Sequence, residues 1–198
     1  MPFNINTFKQ AGLVYGGARP SLFEVILTVP PTVDTAFASQ KFTFTCRAAE
    51  LPESTISSIE VPYFGRKIKV AGERTFADWS VTVMNDEDFS VRAMFEAWSN
   101  AINRMIANVR DPILSAEGYK GLVDVIQYGK AGEVLRSYQL VGAFPTQVSG
   151  ITLGWDSANA VEEFTVNFAY DYWTPLVEVS DKSGGAVVYG PLTNIGSI

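Results

Sequence analysis

The chain contains no histidine. This removes the side chain that most often works as a general base near neutral pH, and the commonest zinc ligand. Histidine-dependent triads and Cys/His metal centres are excluded with it. Cysteine occurs once, at Cys46, so no internal disulfide can form and nothing marks an oxidising compartment. Cys46 alternates with Phe42 and Phe44, which reads as a buried, inert thiol rather than a nucleophile. No stretch approaches the ~20 apolar residues of a membrane-spanning helix, so no membrane anchor is expected. The first residues lack the basic region and apolar run of a secretory signal. Neither a Walker-type phosphate loop nor a G-x-G-x-x-G between strand and helix occurs.

Positive charge is also scarce. Fifteen Lys and Arg stand against 21 Asp and Glu, a formal net charge of −6, which argues against wholesale binding of nucleic acid through its phosphates. The basic run Arg66-Lys67-Ile68-Lys69 is too short for a nucleic-acid footprint and reads as a solvated sheet face. Paired carboxylates offer no better site. Glu162 and Glu163 point to opposite faces of a strand, and Asp86 and Asp88 suit the positive end of a helix. Catalytic, cofactor and metal residues are therefore expected to be absent.

What the sequence has in quantity is alternation. Phe42, Phe44 and Cys46 are expected on one strand face, with Thr43, Thr45 and Arg47 on the other. Trp79, Val81 and Val83 alternate with Ser80 and Thr82, and Phe164, Val166 and Phe168 alternate with Thr165 and Asn167. Leu22–Val29, Lys41–Arg47, Ser58–Pro62, Tyr119–Tyr128, Glu133–Phe144 (stopped by Pro145), Val148–Leu153 and Val161–Trp173 read as strands. Arg66–Ala71 and Thr75–Met84 read as a hairpin closed at Gly72-Glu73. Glu50 to Ile59 reads mostly as an irregular link. One helix is predicted over Asp86 to Val109, capped by Asn85, with an apolar stripe running from Val91 through Trp98 to Met105, Ile106 and Val109.

At 47% hydrophobic over 198 residues, the chain can bury a sizeable core. The predicted class is mainly β: an antiparallel barrel or sandwich with one packed α-helix. The expected division is an N-terminal arm (1–20), a β-barrel domain (21–173) and a C-terminal extension (174–198), the last with a strand-like patch at Ala186–Tyr189.

Two long runs are more specific than any motif. VPYFGRKIKVAGERTFADWSVTVMNDEDF (61–89) and LVGAFPTQVSGITLGWDSANAVEEFTVNFAYDYW (140–173) closely resemble the tail tube proteins of contractile-tailed, T-even-type bacteriophages. The openings ARPSLFEVIL and FTFTCRAAELP fit the same family. The likeness spans about residues 18–173. It departs at the loop 30–40, at the link 108–118 and at the tail beyond the DYW triplet. The resemblance implies hexameric rings stacked into a hollow tube inside a contractile sheath. It further implies a tape-measure protein and a baseplate tube-initiator as partners, and DNA that passes without specific binding. The protein would be assembled in the host cytoplasm and reside in the virion tail. On that view Thr43, Thr45, Ser80, Thr82, Thr165 and Asn167 are candidates to face the lumen, and Leu51, Pro52 and Ile56 to stack rings. A tube-initiator, a tube protein of a type VI secretion or injection particle, and a carbohydrate-binding sandwich are the alternatives.

Overall fold

The computed structural model describes residues 5, 9, 16–30, 33, 38–110, 117–157, 159–176, 179–180 and 186–187. Most of the expected arm and extension lies outside the described residues. Strand β1 (Phe23–Thr28) is followed by helix α1 (Ala38–Thr45), β2 (Cys46–Ala49), β3 (Thr55–Tyr63), β4 (Arg66–Thr75) and β5 (Trp79–Met84). Then come helix α2 (Ser90–Ile102), β6 (Gly121–Tyr128), β7 (Val134–Val148), β8 (Glu163–Ala169), β9 (Tyr172–Pro175), β10 (Val179–Ser180) and β11 (Ala186–Val187). The last two form a small ladder of their own, as do β3 and β4.

The remaining seven strands make one antiparallel sheet in the order β1-β6-β7-β8-β5-β2, with β9 also on β7. The 15-residue β7 makes this possible. Its first part pairs with β6 and β9, and its last residues, Phe144–Val148, pair with β8. The change of partner falls beside Gly142, whose φ is +72°. A side chain there would be strained, and its Cβ would collide with the Asp171 carboxylate. Asp171 is held at this kink by its N–H, which donates to Val141 O (3.0 Å), and by Lys120 Nζ (2.9 Å). Pro145 does not stop the strand, as its sequence suggests. It sits in β7 at a register shift between Pro145 and Gln147, where a missing N–H is tolerated.

The two halves of the bent sheet turn their apolar faces onto one core. Val25, Val123, Val125 and Leu140 come from one half, and Trp79, Val81, Val83, Phe164, Val166 and Phe168 from the other. Helix α2 closes it with Val91, Met94, Phe95 and Trp98 at three- and four-residue steps. Phe168 is the hub: its ring lies 5.7, 5.8 and 6.2 Å from those of Trp79, Phe95 and Trp98. The buried indole of Trp98 donates to Tyr119 O at 2.7 Å, which satisfies its one polar atom.

Three further expectations are corrected. The segment read as a strand from Lys41 to Arg47 is mostly helix α1, so α2 is not the one helix expected. Ala38 and Phe42, four residues apart, are both buried, and Phe42 meets Phe95 edge-on at 5.7 Å. Phe44 is 84% exposed. Thr45 Oγ1 donates to Lys41 O at 3.1 Å, one helical turn back. The predicted α2 runs too long at both ends. It begins after Phe89, which is in the left-handed region with φ 52°, and not at Asn85. At the other end Asn100 Oδ1 accepts the Met105 N–H (3.2 Å) and Asn103 Nδ2 donates to Asn108 Oδ1 (2.8 Å). These side chains compete with the helical ladder, and Met105, Ile106 and Val109 are exposed rather than in the core. Finally, the hairpin is β3-β4 rather than a pair closed at Gly72. Its two-residue turn is Phe64-Gly65, with φ 43° and 80°, the positive pair of a type I′ turn. The link 50–59 is correspondingly irregular only to residue 54.

Candidate functional site

The outer face of β5 and β8 is a strip of small polar groups. Ser80 stands opposite Asn167, and Thr82 opposite Thr165. All four are partly exposed, while the alternate residues are buried. The strip continues onto β7: Asn167 Nδ2 donates to Gln147 Oε1 (3.1 Å), and Thr146 Oγ1 donates to Asn167 O (3.1 Å). At its other side the Arg47 guanidinium is paired with Glu163, which leaves the strip locally neutral. Thr43 and Thr45, expected on the same face, are on α1 and do not extend it.

Leu51 and Pro52 lie in the link before β3, and Ile56 near the start of β3. Leu51 and Ile56 are about half exposed. The link is fastened to the body by two indoles. Trp79 Nε1 donates to Glu50 O at 2.6 Å and Trp173 Nε1 to Glu53 O at 3.1 Å. Its apolar side chains are therefore presented by a tethered backbone.

The feature that the sequence reading missed is the hairpin β3-β4. None of its residues is buried. Ile59 pairs with Val70 and Val61 with Ile68, so these four share one face, and each is about half exposed. At the tip Tyr63 and Phe64 meet edge-on, with ring centroids 4.7 Å apart, and Phe64 is 92% exposed. Lys67 and Lys69 belong to this hairpin and not to a wall of the body. Lys67 Nζ is 2.6 Å from Glu60. The signal was present as aromatic-Gly-basic at 64–66 flanked by alternation on both sides, but Gly72 drew the turn assignment.

Electrostatics on the body serve structure. Lys41 on α1 bridges Asp86 and Asp88, reaching the latter at 2.6 Å. Hydrogen bonds from Lys41 hold both carboxyls below their ordinary range, Asp88 down to about 2. Burial pushes the Cys46 thiol up to about 12, which keeps it protonated and unreactive at neutral pH. Among the described residues no cluster of His, Cys, Asp and Glu could hold a metal ion, and no helix is long and apolar enough to cross a membrane. Trp79 and Trp98 are buried and Trp155 alone of the tryptophans stands fully open, so the tryptophans form no platform for a sugar.

Comparison with known proteins agrees with this inventory of surfaces without chemistry. The family model for phage tail tube protein matches residues 18–175. Tail tube protein gp19 of Enterobacteria phage T4 is 38% identical over 159 residues, 79% of this chain and 90% of the relative. The tail tube protein of Serratia phage KSP90 is 23% identical over 181 residues, 90% of this chain and 98% of that one. Among solved structures, the tube-terminating cap of the anti-feeding prophage superposes with a TM-score of 0.55 at 18% identity, covering 80% of this chain and 90% of the other. A sheath–tube complex of an extracellular contractile injection system gives 0.52 at 13% identity, over 87% and 97%. At such identities the likeness is one of fold.

Proposed function

As the chain belongs to the phage tail tube protein family, we propose that its copies close into hexameric rings that stack into the hollow inner tube of a contractile tail, through which DNA passes. The protein is a structural component of the virion tail and not an enzyme. The strongest support for a lumen wall is the two-faced sheet β5-β8, buried and aromatic inside, small and polar outside. In a ring, the outer strip of Ser80, Thr82, Thr165 and Asn167 lines the lumen. Hydroxyls and amides keep such a wall hydrated, and a chain of net charge −6 repels phosphates rather than holding them. Thr43 and Thr45 drop out of the wall because they sit on α1. The sheet of a single chain ends at β1 and β2. Closing a ring edge to edge removes such free strand edges.

Leu51, Pro52 and Ile56 form the stacking contact in this arrangement. A sheath protein surrounds the tube, a tape-measure protein occupies it during assembly, and a baseplate tube-initiator starts it. A main tube protein polymerises along the whole length, whereas an initiator caps one end in few copies. Negative-stain electron microscopy of the purified protein across a concentration range tests the proposal. Rings or hollow tubes are expected. Persistent monomers, even with a baseplate seed added, would overturn it.

A further inference from the structure

The outer face of the β1-β6-β7-β9 half is unlike the polar strip on β5 and β8. Paired residues share a face. Ile26 stands opposite Asp124 and Asp124 opposite Gln139, while Leu122 stands opposite Val141 and Val141 opposite Tyr172. The core takes the alternate residues Val25, Leu27, Val123, Val125 and Leu140, so these side chains point away from it. Ile26 is 38% and Tyr172 47% exposed, and Leu122 and Val141 are partly exposed between them. The polar groups of the face satisfy one another. Gln139 Nε2 donates to Asp124 Oδ1 at 2.9 Å, and the Tyr128 hydroxyl donates to Glu24. Among the described residues both carboxylates thus meet neutral side chains and no Lys or Arg. The result is an open apolar surface that carries two uncompensated negative charges.

The start of the chain has the complementary character. Residues 1–23 contain Lys9 and Arg19 and no Asp or Glu, and Phe3, Ile5, Phe8, Leu13 and Val14 fall within the first fifteen. Ile5 and Lys9 are both helical and, four residues apart, lie on one side of the helix. Ile5 is 69% exposed, so its own chain does not cover it. The segment joins the body at Gly16, where Lys130 Nζ, in the β6-β7 turn, donates to Gly16 O at 3.2 Å. Gly16 and Gly17 have φ of 83° and 70°, values that side chains resist, and the pair turns the chain at this point. Residues 1–15 would reach roughly 20 Å even if wholly helical, more than the ~15 Å across four paired strands. The match to the tail tube family begins at residue 18, so this arm lies outside it.

We propose that residues 1–15 of one copy lie across the outer face of β1-β6-β7-β9 of another, with Ile5 against Ile26, Leu122, Val141 and Tyr172 and with Lys9 beside Asp124. This rests on the tube reading and adds a clasp between its copies. Within one chain Ile5 and Ile26 are both open; exchange between copies covers both. Arm and face are different surfaces, so the contact is heterologous, and each copy gives one arm and receives one. Apolar burial supplies the attraction. The exposed ion pair is weak by itself, and its use is selection: two faces brought together set carboxylates against each other, so that pairing is penalised. The polar strip on β5 and β8 belongs to the other half of the sheet and stays clear of the arm.

The full chain carrying Cys46→Ala, Ile5→Cys and Ile26→Cys tests the clasp when treated with a flexible bismaleimide under assembly conditions. Cys46 is the one native cysteine, so the two introduced thiols are the only ones. Both sites are exposed, so neither change disturbs the core. Covalent dimers, trimers and larger species are expected on a denaturing gel, with each single-site chain stopping at dimers. In parallel, Ile5→Asp should lower the assembled fraction about tenfold or more. Lys9→Glu and Asp124→Lys should each lower it about threefold, and the two combined in one chain should restore it. Cross-links confined to single chains would put the arm on its own body and overturn the clasp. Wild-type protein that never assembles would overturn the tube reading and the clasp with it. Tubes that form without inter-chain cross-links, or at the wild-type level from the Ile5→Asp chain, would overturn the clasp alone.

Discussion

Strands β5 and β4 are written in the same alternating style, yet they meet opposite fates. In β5, Trp79, Val81 and Val83 are covered by the core. In β4, Ile68 and Val70 occupy the equivalent alternate places and remain about half exposed. Alternation specifies a face; it does not supply what covers the face. The body covers its own, using the other half of the bent sheet and α2. Among the described residues no other sheet or helix lies on the hairpin, and a two-stranded ribbon alone is marginally stable in water. The body is thus a self-sufficient fold, while in the proposed tube the hairpin is left for another copy to complete.

That contrast breaks most sharply in the core. Phe168→Ala removes the ring shared by Trp79, Phe95 and Trp98 and should cost ~3–5 kcal/mol, measured by denaturant unfolding of the dissociated chain. Gly142→Ala, at φ +72° and against the Asp171 carboxylate, should cost about 2 kcal/mol and loosen the bend that lets β7 serve both halves of the sheet.

Acid sharpens the comparison on a smaller scale. The Asp86 and Asp88 carboxyls have folded values below the ordinary 3.8, Asp88 at about 2. Their contribution is therefore complete above pH 4 and is lost as pH falls toward 2. Thermal melts between those values should show the Lys41 clasp of the body weakening, while Lys41→Met should flatten that part of the profile. Last and smallest for folding is the hairpin itself. Ile68→Thr should change the stability of the dissociated chain by less than ~0.5 kcal/mol, yet reduce tube formation on a sedimentation assay. Leu51→Asp should likewise leave the monomer folded and impair assembly.

The same contrast explains which elements could be read from residues. β1, β5, β6 and β8 were legible because the face their alternation names is the face the fold buries. α1 was not, since Phe42 and Phe44 mimic a strand, and only the pocket beside Phe95 shows that Phe42 alone goes inside. The end of α2 was hidden because Met105, Ile106 and Val109 keep the helical spacing while the side chains of Asn100 and Asn103 cap and divert the backbone. Pro145 misled because its missing N–H is harmless at a bulge, and the bulge exists through pairings distant in sequence. Of the candidate surfaces, the polar strip at Ser80, Thr82, Thr165 and Asn167 followed from alternation. The hairpin did not, because Gly72 drew the turn away from Phe64-Gly65, and the apolar outer face of β1-β6-β7-β9 did not, because no single segment makes it.

Hydrogen–deuterium exchange of the dissociated chain and of assembled tubes compares the two regions directly. Amides of β5, β8 and α2 should be protected in both states, and those of β3 and β4 should exchange quickly in the dissociated chain and slow by orders of magnitude in the tube. A hairpin that is equally protected before and after assembly would contradict the claim that it is completed by another copy.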